Sequence, residues 1–268
     1  MTHQMRRRPF GVLSLVAGVA AFGVVAMGQQ PQPSTAAQAQ ASPASLPTAK
    51  ALVAKHVAAI GGEAAFKAVN SIHAKGQFEL SGQNLSGDLD LIAARPAKLL
   101  IRVDLPGAGH IETGYDGKNG WSIDPMAGPT LLSGRSLREM AEDAWFDSAL
   151  HGPDHVKEMT TTGKTQFDQR PAYQVNVLFL SGVQQTEYFD AETGFQIGSD
   201  TERETPMGVL PTTTILRDYK KFGTLMWATV LVQRTMGIDQ VFHIASLESN
   251  TVPPTAFDPP PQIKALIK

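Results

Sequence analysis

Apolar residues first recur with a helical period, at Leu52, Val53, Val57 and Ile60 with His56 among them, behind Thr48, whose hydroxyl suits an N-cap. Gly61-Gly62 interrupts this helix, and a short second one is predicted over 63–69. After Asn70 the period falls to about two. Leu85, Leu89 and Leu91 alternate with Ser86, Asp88 and Asp90, and Leu99, Ile101 and Val103 with Lys98, Arg102 and Asp104. The alternation returns at Trp121 and Ile123, along Tyr173, Val175, Val177 and Phe179, at Phe195 and Ile197, and less cleanly from Ala228 to Leu247. Such patterns describe half-buried antiparallel strands, punctuated by turn chemistry at Asp116-Gly117, Lys118-Asn119-Gly120 and Asp190 to Gly194.

One helical stretch breaks the strand pattern, from Ser136 to about Leu150, with Leu137, Met140, Ala141, Ala144 and Trp145 as its apolar stripe and Gly152-Pro153 as its stop. So many one-sided strands leave an apolar face that must be covered. The expected fold class is therefore mainly β (α+β): an open antiparallel β-barrel or curled sheet, with helices over its concave face. The proline-rich end, 253–261, reads as an irregular tail, and no internal repeat is present.

Composition adds the domain plan. The chain has 268 residues, 42% of them hydrophobic, enough for one sizeable core. Arg6-Arg7-Arg8 followed by an uncharged run from Phe10 to Met27 has the order of an export signal, so 1–28 is expected to be a signal peptide or an uncleaved N-terminal anchor. Residues 29–47, nearly all Gln, Pro, Ala and Ser, form a flexible linker, and 48–268 the folded domain. The expected location is the periplasm or cell envelope. A formal net charge of −2 with scattered Lys and Arg sets nucleic acid aside. With no cysteine there is no disulfide, thiolate nucleophile or lipidated N-terminal cysteine.

Local catalytic patterns are missing: no G-x-S-x-G, H-E-x-x-H or G-x-G-x-x-G is found, and Gly163-Lys164-Thr165 lacks the upstream glycine of a phosphate loop and reads as a strand turn. His151 and His155 have the spacing of metal ligands, but Gly152-Pro153 between them breaks the helix that would align the rings. His73, His110 and His243 read as strand histidines, Asp88 and Asp90 as a solvated face, and Glu202-Arg203-Glu204 as a wet edge or hairpin end. No catalytic residue, metal or cofactor is assigned.

Gly87-Asp88-Leu89-Asp90-Leu91, Arg95-Pro96, Leu105-Pro106 and the run from Tyr115 through Asp116-Gly117-Lys118 to Trp121 and Asp124-Pro125 resemble, in order and spacing, the LolA/LolB-like outer-membrane lipoprotein-sorting superfamily. Tyr188 to Gly194, Arg217-Asp218-Tyr219 and the stretch from Asn250 to Pro259 are similar to its later hairpin and closing strands. The resemblance covers about 70–268. It implies an open barrel lidded by helices whose concavity holds acyl chains, with Arg95 in the place of the arginine that ties the lid shut. The absence of cysteine departs from the lipid-anchored receptor of that group, and the linker and Gly61-Gly62 point to a broader branch of it.

The expected function is an exported carrier of lipid or lipoprotein acyl chains, monomeric, working with an inner- or outer-membrane protein. The cavity is expected to be lined by Leu89, Leu91, Ile101, Val103, Trp121, Ile123, Val175 and Val177, with Met140 and Trp145 from the lid and Arg95 as its gate. The alternatives are a sensory or regulatory binding module on the same scaffold and, behind it, an envelope hydrolase.

Overall fold

The structure is a computed structural model that describes residues 45–205 and 207–267. The predicted signal segment and most of the linker lie outside the described residues. Two helices open the domain, α1 (Ala49–Ala59) and α2 (Glu63–Lys67), followed by β1 (Ser71–Leu80), β2 (Leu85–Ala94), β3 (Lys98–Leu105), β4 (Gly109–Tyr115), β5 (Gly120–Asp124) and β6 (Gly128–Leu131). Helix α3 (Gly134–Asp143) and a 3-10 turn (Ser148–Leu150) separate these from β7 (Val156–Phe167), β8 (Arg170–Phe179), β9 (Gln184–Asp190), β10 (Gln196–Thr205), β11 (Gly208–Phe222), β12 (Leu225–Thr235) and β13 (Ile238–Ser249). A 3-10 turn (Pro254–Phe257) and α4 (Pro261–Lys264) close the chain.

All strands join one antiparallel sheet in the order β6-β5-β4-β3-β2-β1-β13-β12-β11-β10-β9-β8-β7, with β6 and β7 as its two edges. The first and last parts of the chain meet where β1 pairs with β13 (Phe78 opposite Phe242). The sheet is strongly curled. Along it, β3 and β10 are six strand steps apart, about 29 Å if flat at roughly 4.8 Å per step. Yet α3, ten residues and so about 15 Å long, packs Met140 against Leu99 of β3 and pairs Asp143 with Arg203 of β10.

Residues directly opposite on neighbouring strands share a face. The pairings Phe78–Phe242, Gly76–Leu89, Leu91–Ile101 and Val103–Ile111 therefore put this set on the face that α3 covers. Helix α1 covers the same face further along, burying Ala49, Leu52 and Val53 against Val175, Val177, Phe179 and Phe189. It is capped by the Thr48 hydroxyl, which accepts from the Ala51 N–H at 3.2 Å. The double glycine then does what its permissive backbone allows: both residues take positive φ, and a Cβ on Gly61 would lie 2.5 Å from the Thr224 carbonyl. That approach lets Ile60 accept a hydrogen bond from the Met226 N–H. Helix α2 follows with Phe66 in the same core as Ile72 and Leu225.

Three sequence expectations need correction. The helix expected over 136–150 begins at Gly134 and ends at Asp143, because the chain after Ala144 is drawn to the β2–β3 corner: Trp145 bridges to Ala97, and the Phe146 N–H donates to the Pro96 carbonyl. The proline-rich tail is ordered rather than irregular, with prolines at the first helical positions where their missing N–H costs nothing. Gly163-Lys164-Thr165 is no turn but part of β7, beside a bulge between Thr161 and Gly163.

Candidate functional site

Beneath α3 the concave face leaves a cavity of about 280 Å³, near the lower end of the roughly 300–1,000 Å³ typical of small-ligand pockets. Phe78, Leu99, Ile101, Val103, Ile111 and Phe242 form its apolar wall, Met140 and Asp143 its roof, and Thr113, Gln233 and Gln240 supply its few uncharged polar groups. Leu89 and Leu91 back this wall from β2, Leu91 packing with Leu99, Ile101 and Met140.

The roof is held differently along its two sides. Towards β10 the contacts are polar: Arg203 donates two bonds to Asp143 at 2.7 and 2.8 Å, Glu204 accepts from the N–H and hydroxyl of Ser136 at 2.8 and 2.6 Å, and Glu139 accepts from the Glu204 N–H at 3.0 Å. The Glu202-Arg203-Glu204 run is thus the clasp of α3. Towards β3 and β4 the contacts are apolar, Met140 and Ala144 resting on Leu99, Ile101 and Tyr115.

Arg95 sits at the β2–β3 corner. Its Nε donates to the Val69 carbonyl at 2.8 Å and Nη2 to the Phe66 carbonyl at 3.2 Å, while Nη1 pairs with Asp147. Its guanidinium also lies 4.9 Å from the centre of the Phe146 ring, a favourable cation–π distance. One side chain therefore ties the end of α2 to the segment that follows α3.

A buried polar set lies under α1. His151 Nε2 and a Glu187 carboxylate oxygen are 2.6 Å apart, with side chains only 2% and 3% exposed, and Gln185 donates to the other oxygen at 2.6 Å. Burial works against charge on both partners, but their mutual attraction and hydrogen bonding outweigh it, raising the pKa of His151 and lowering that of Glu187. His56, on α1, accepts from the Gln196 N–H at 3.1 Å. Burial, aided by the nearby His151 charge, pushes its pKa down to about 4, so it stays neutral. The chemistry of this set is that of a structural ion pair. At the neighbouring lid, the Ser181 hydroxyl and His155 both bond to Glu142; hydroxyl and imidazole meet the carboxylate rather than each other, unlike a nucleophile and its base.

Of the residues expected to line the cavity, Ile101, Val103 and Met140 do so, with Leu89 and Leu91 immediately behind. Val175 and Val177 share the concave face and pack beneath α1 with Phe179 and Phe189, and Val177 also lines a separate pocket shared with Arg135, Glu139 and Gln185. Trp121 and Ile123 lie on the opposite face, which corrects the expectation. Trp121 pairs with Gly114 and donates from its indole to Glu112 at 2.8 Å, in a cluster with Ile92, Leu100, Phe257 and Ile263 that the C-terminal tail covers. Trp145 stacks on His155 with ring centres 4.9 Å apart, away from the cavity. Sequence reasoning missed Phe78, Phe242 and Ile111. Their signal was the phase of alternation in β1, β13 and β4, readable only once the pairing is known. The His151–Glu187 pair was equally hidden, since Glu187 ends the polar run Gln184-Gln185-Thr186-Glu187. Among the described residues no group of three or more His, Asp or Glu is placed to hold a metal, and no helix is long and apolar enough to cross a membrane.

Solved structures share this architecture. A DUF1329 family protein from Desulfovibrio piger aligns over 78% of this chain and 96% of its own, with a TM-score of 0.55 and 13% identity. A LolA superfamily protein from Nitrosomonas europaea aligns over 80% and 99%, with a TM-score of 0.53 and 12% identity. The chain has the LolA-superfamily fold. An outer membrane lipoprotein-sorting protein domain from Vibrio parahaemolyticus, at 11% identity and a TM-score of 0.50 over 78% of this chain and 95% of its own, has it too. At such identities the likeness is one of fold. No protein-family model and no curated protein matches the sequence. Within the LolA-type fold, the two hairpins that carried the sequence resemblance are Asx turns: Asp116 accepts from the N–H groups of Lys118 and Asn119, and Asp190 from those of Glu192 and Thr193.

Proposed function

We propose that this protein is an exported, non-enzymatic carrier of the periplasm or cell envelope that holds the acyl chain of a lipid or lipoprotein beneath α3. The observation that carries this reading is the apolar cavity between Phe78, Leu99, Ile101, Val103, Ile111 and Phe242, roofed by one amphipathic helix. Each methylene moved there from water contributes about 0.8 kcal/mol. The LolA-type fold supports the reading, and so do the neighbours called LolA superfamily and lipoprotein-sorting. The N-terminal basic and apolar pattern supports export.

A carrier must also release its cargo, so its empty, closed state has to compete with ligand. Arg95 is the gate in this reading. Its bonds to Phe66, Val69 and Asp147 hold the two lid segments together and so favour the closed state that competes with ligand. The test is organic-solvent extraction of protein purified without detergent, followed by mass spectrometry. A stoichiometric lipid or acylated species is expected; extracts with no more lipid than a similarly exported control protein would overturn the proposal.

A further inference from the structure

The strand turns divide between two ends of the curled sheet. The register places the turns after β1, β3, β5, β8, β10 and β12 at one end, as in the bond from the Ser81 N–H to the Asp239 carbonyl, and the turns after β2, β4, β7, β9 and β11 at the other. The two ends differ in chemistry. The first-end turns, 81–84, 106–108, 125–127, 180–183, 206–207 and 236–237, contain no Lys, Arg, Asp or Glu. The second-end turns carry Arg95, Asp116, Lys118, Asp168 and Glu192.

Exposure follows the same division. Among the described residues, five of the seven exposed large apolar side chains belong to the first end, exposed by 43% to 57%: Met126, Leu180, Met207 and Met236 in its turns, and Val209 in β11 opposite Glu204. The other two, Leu46 and Leu266, are in the terminal segments. Single exposed apolar residues are ordinary on any surface; five gathered at one end of a sheet, four of them in turns without charge and with Asp124, Asp154, Glu204 and Asp239 as nearby charges in chain or register, are not a scatter.

The cavity lies towards this end as well. Phe78, Val103, Ile111, Gln233 and Gln240 each stand two residues from a strand end on that side.

We infer that the uncharged hairpin tips form a docking rim for the surface of a lipid bilayer, through which the cavity exchanges its acyl chain. This rests on the carrier reading and deepens it by naming the surface from which cargo enters. Separate tips spread around a curved rim suit a fluid plane that meets all of them at once, whereas a protein partner needs a contiguous, shape-matched patch. Methionine, at three of the five positions, is flexible and adapts to such an environment, and shallow insertion needs apolar tips free of charge.

The absence of cysteine makes the test direct. The full chain with Met126→Cys, Met207→Cys or Met236→Cys, each labelled with an environment-sensitive dye, is mixed with phosphatidylcholine vesicles containing lipid brominated along its acyl chains. Lys118→Cys and Thr224→Cys report on the opposite end. The expected result is a blue shift and at least twofold quenching at the three tips and little at the two controls, even if the N-terminal segment itself binds the vesicle. Adding Met207→Asp should reduce quenching at position 126 at least twofold. Unquenched tips, or equal quenching at both ends, would overturn the proposal. Displacement of a fluorescent fatty acid in vesicle-free solution tests the carrier reading separately. If that binding persists while the tips stay unquenched, the rim alone is refuted; quenched tips without fatty-acid binding would support the rim and refute the carrier.

Discussion

Arg95 and Asp147 form an ion pair that joins the β2–β3 corner to the segment between α3 and the following 3-10 turn. The same guanidinium holds two carbonyls at the end of α2, so it spans both halves of the lid. Arg95→Leu removes the bonds that favour the closed state without touching the cavity wall. The variant is expected to bind acyl chains but release them to acceptor vesicles at least tenfold more slowly. Stability should also fall by about 1–3 kcal/mol from the polar groups left unpaired. A membrane-to-acceptor transfer assay checks the first point; equal rates for variant and parent would refute the gating role.

Filling the cavity should compete with ligand. Thr113 opposes Ile101 across the β3–β4 pair and lines the space, half-buried. Thr113→Phe is expected to weaken binding of a fluorescent fatty acid at least tenfold in a displacement titration, with a change in stability below about 1.5 kcal/mol, since the added ring enters existing space.

The buried polar set gives a pH dependence with a definite sign. His56 has a folded pKa of about 4 against 6.5 when exposed, so between those values the unfolded chain takes up a proton that the folded chain refuses, and stability falls as pH falls. The loss is about 3 kcal/mol over this window, at roughly 1.4 kcal/mol for each unit. Glu187, with its lowered pKa, adds in the same direction, its contribution being lost as pH drops through the folded value. His151, with its raised pKa, loses its contribution as pH rises through the folded value, so stability declines on that side too. Denaturant titrations across pH are expected to show a shallower acid limb for His56→Asn; unchanged limbs would contradict this assignment.

Trp121 is expected to be structural. A Cβ on Gly114 would lie 2.2 Å from the Trp121 ring, so Gly114→Ala should displace the indole and cost about 1–3 kcal/mol. Trp121→Phe, which leaves Glu112 without its indole donor, should lower the melting temperature while leaving fatty-acid affinity unchanged. A clear loss of affinity would return Trp121 to the cavity.

The strand content and the concave phase of β2 and β3 were legible because one-sided burial imposes a period of two on Leu89, Leu91, Ile101 and Val103. The same logic failed at Trp121 and Ile123. The C-terminal tail makes a second core on the outer face, so β5 presents its large apolar residues there and Gly120 and Ser122 inward. Alternation identifies two faces but not which one encloses the cavity. That choice depends on pairing across the sheet, as with Phe78 and Phe242, which are far apart in sequence yet directly opposite in β1 and β13. Val175 and Val177 had the right face, but they pack under α1 and lie outside the cavity beneath α3.

The central claim is that an acyl chain occupies the space beneath α3. A fatty acid carrying a terminal diazirine, photolysed on the full-length protein and mapped by peptide mass spectrometry, tests it most directly. Labelling is expected to concentrate on peptides containing Ile101, Val103, Met140 and Phe242 and to be competed by unlabelled fatty acid. Labelling confined to the α1-covered cluster or the outer face, or insensitive to competitor, would contradict it.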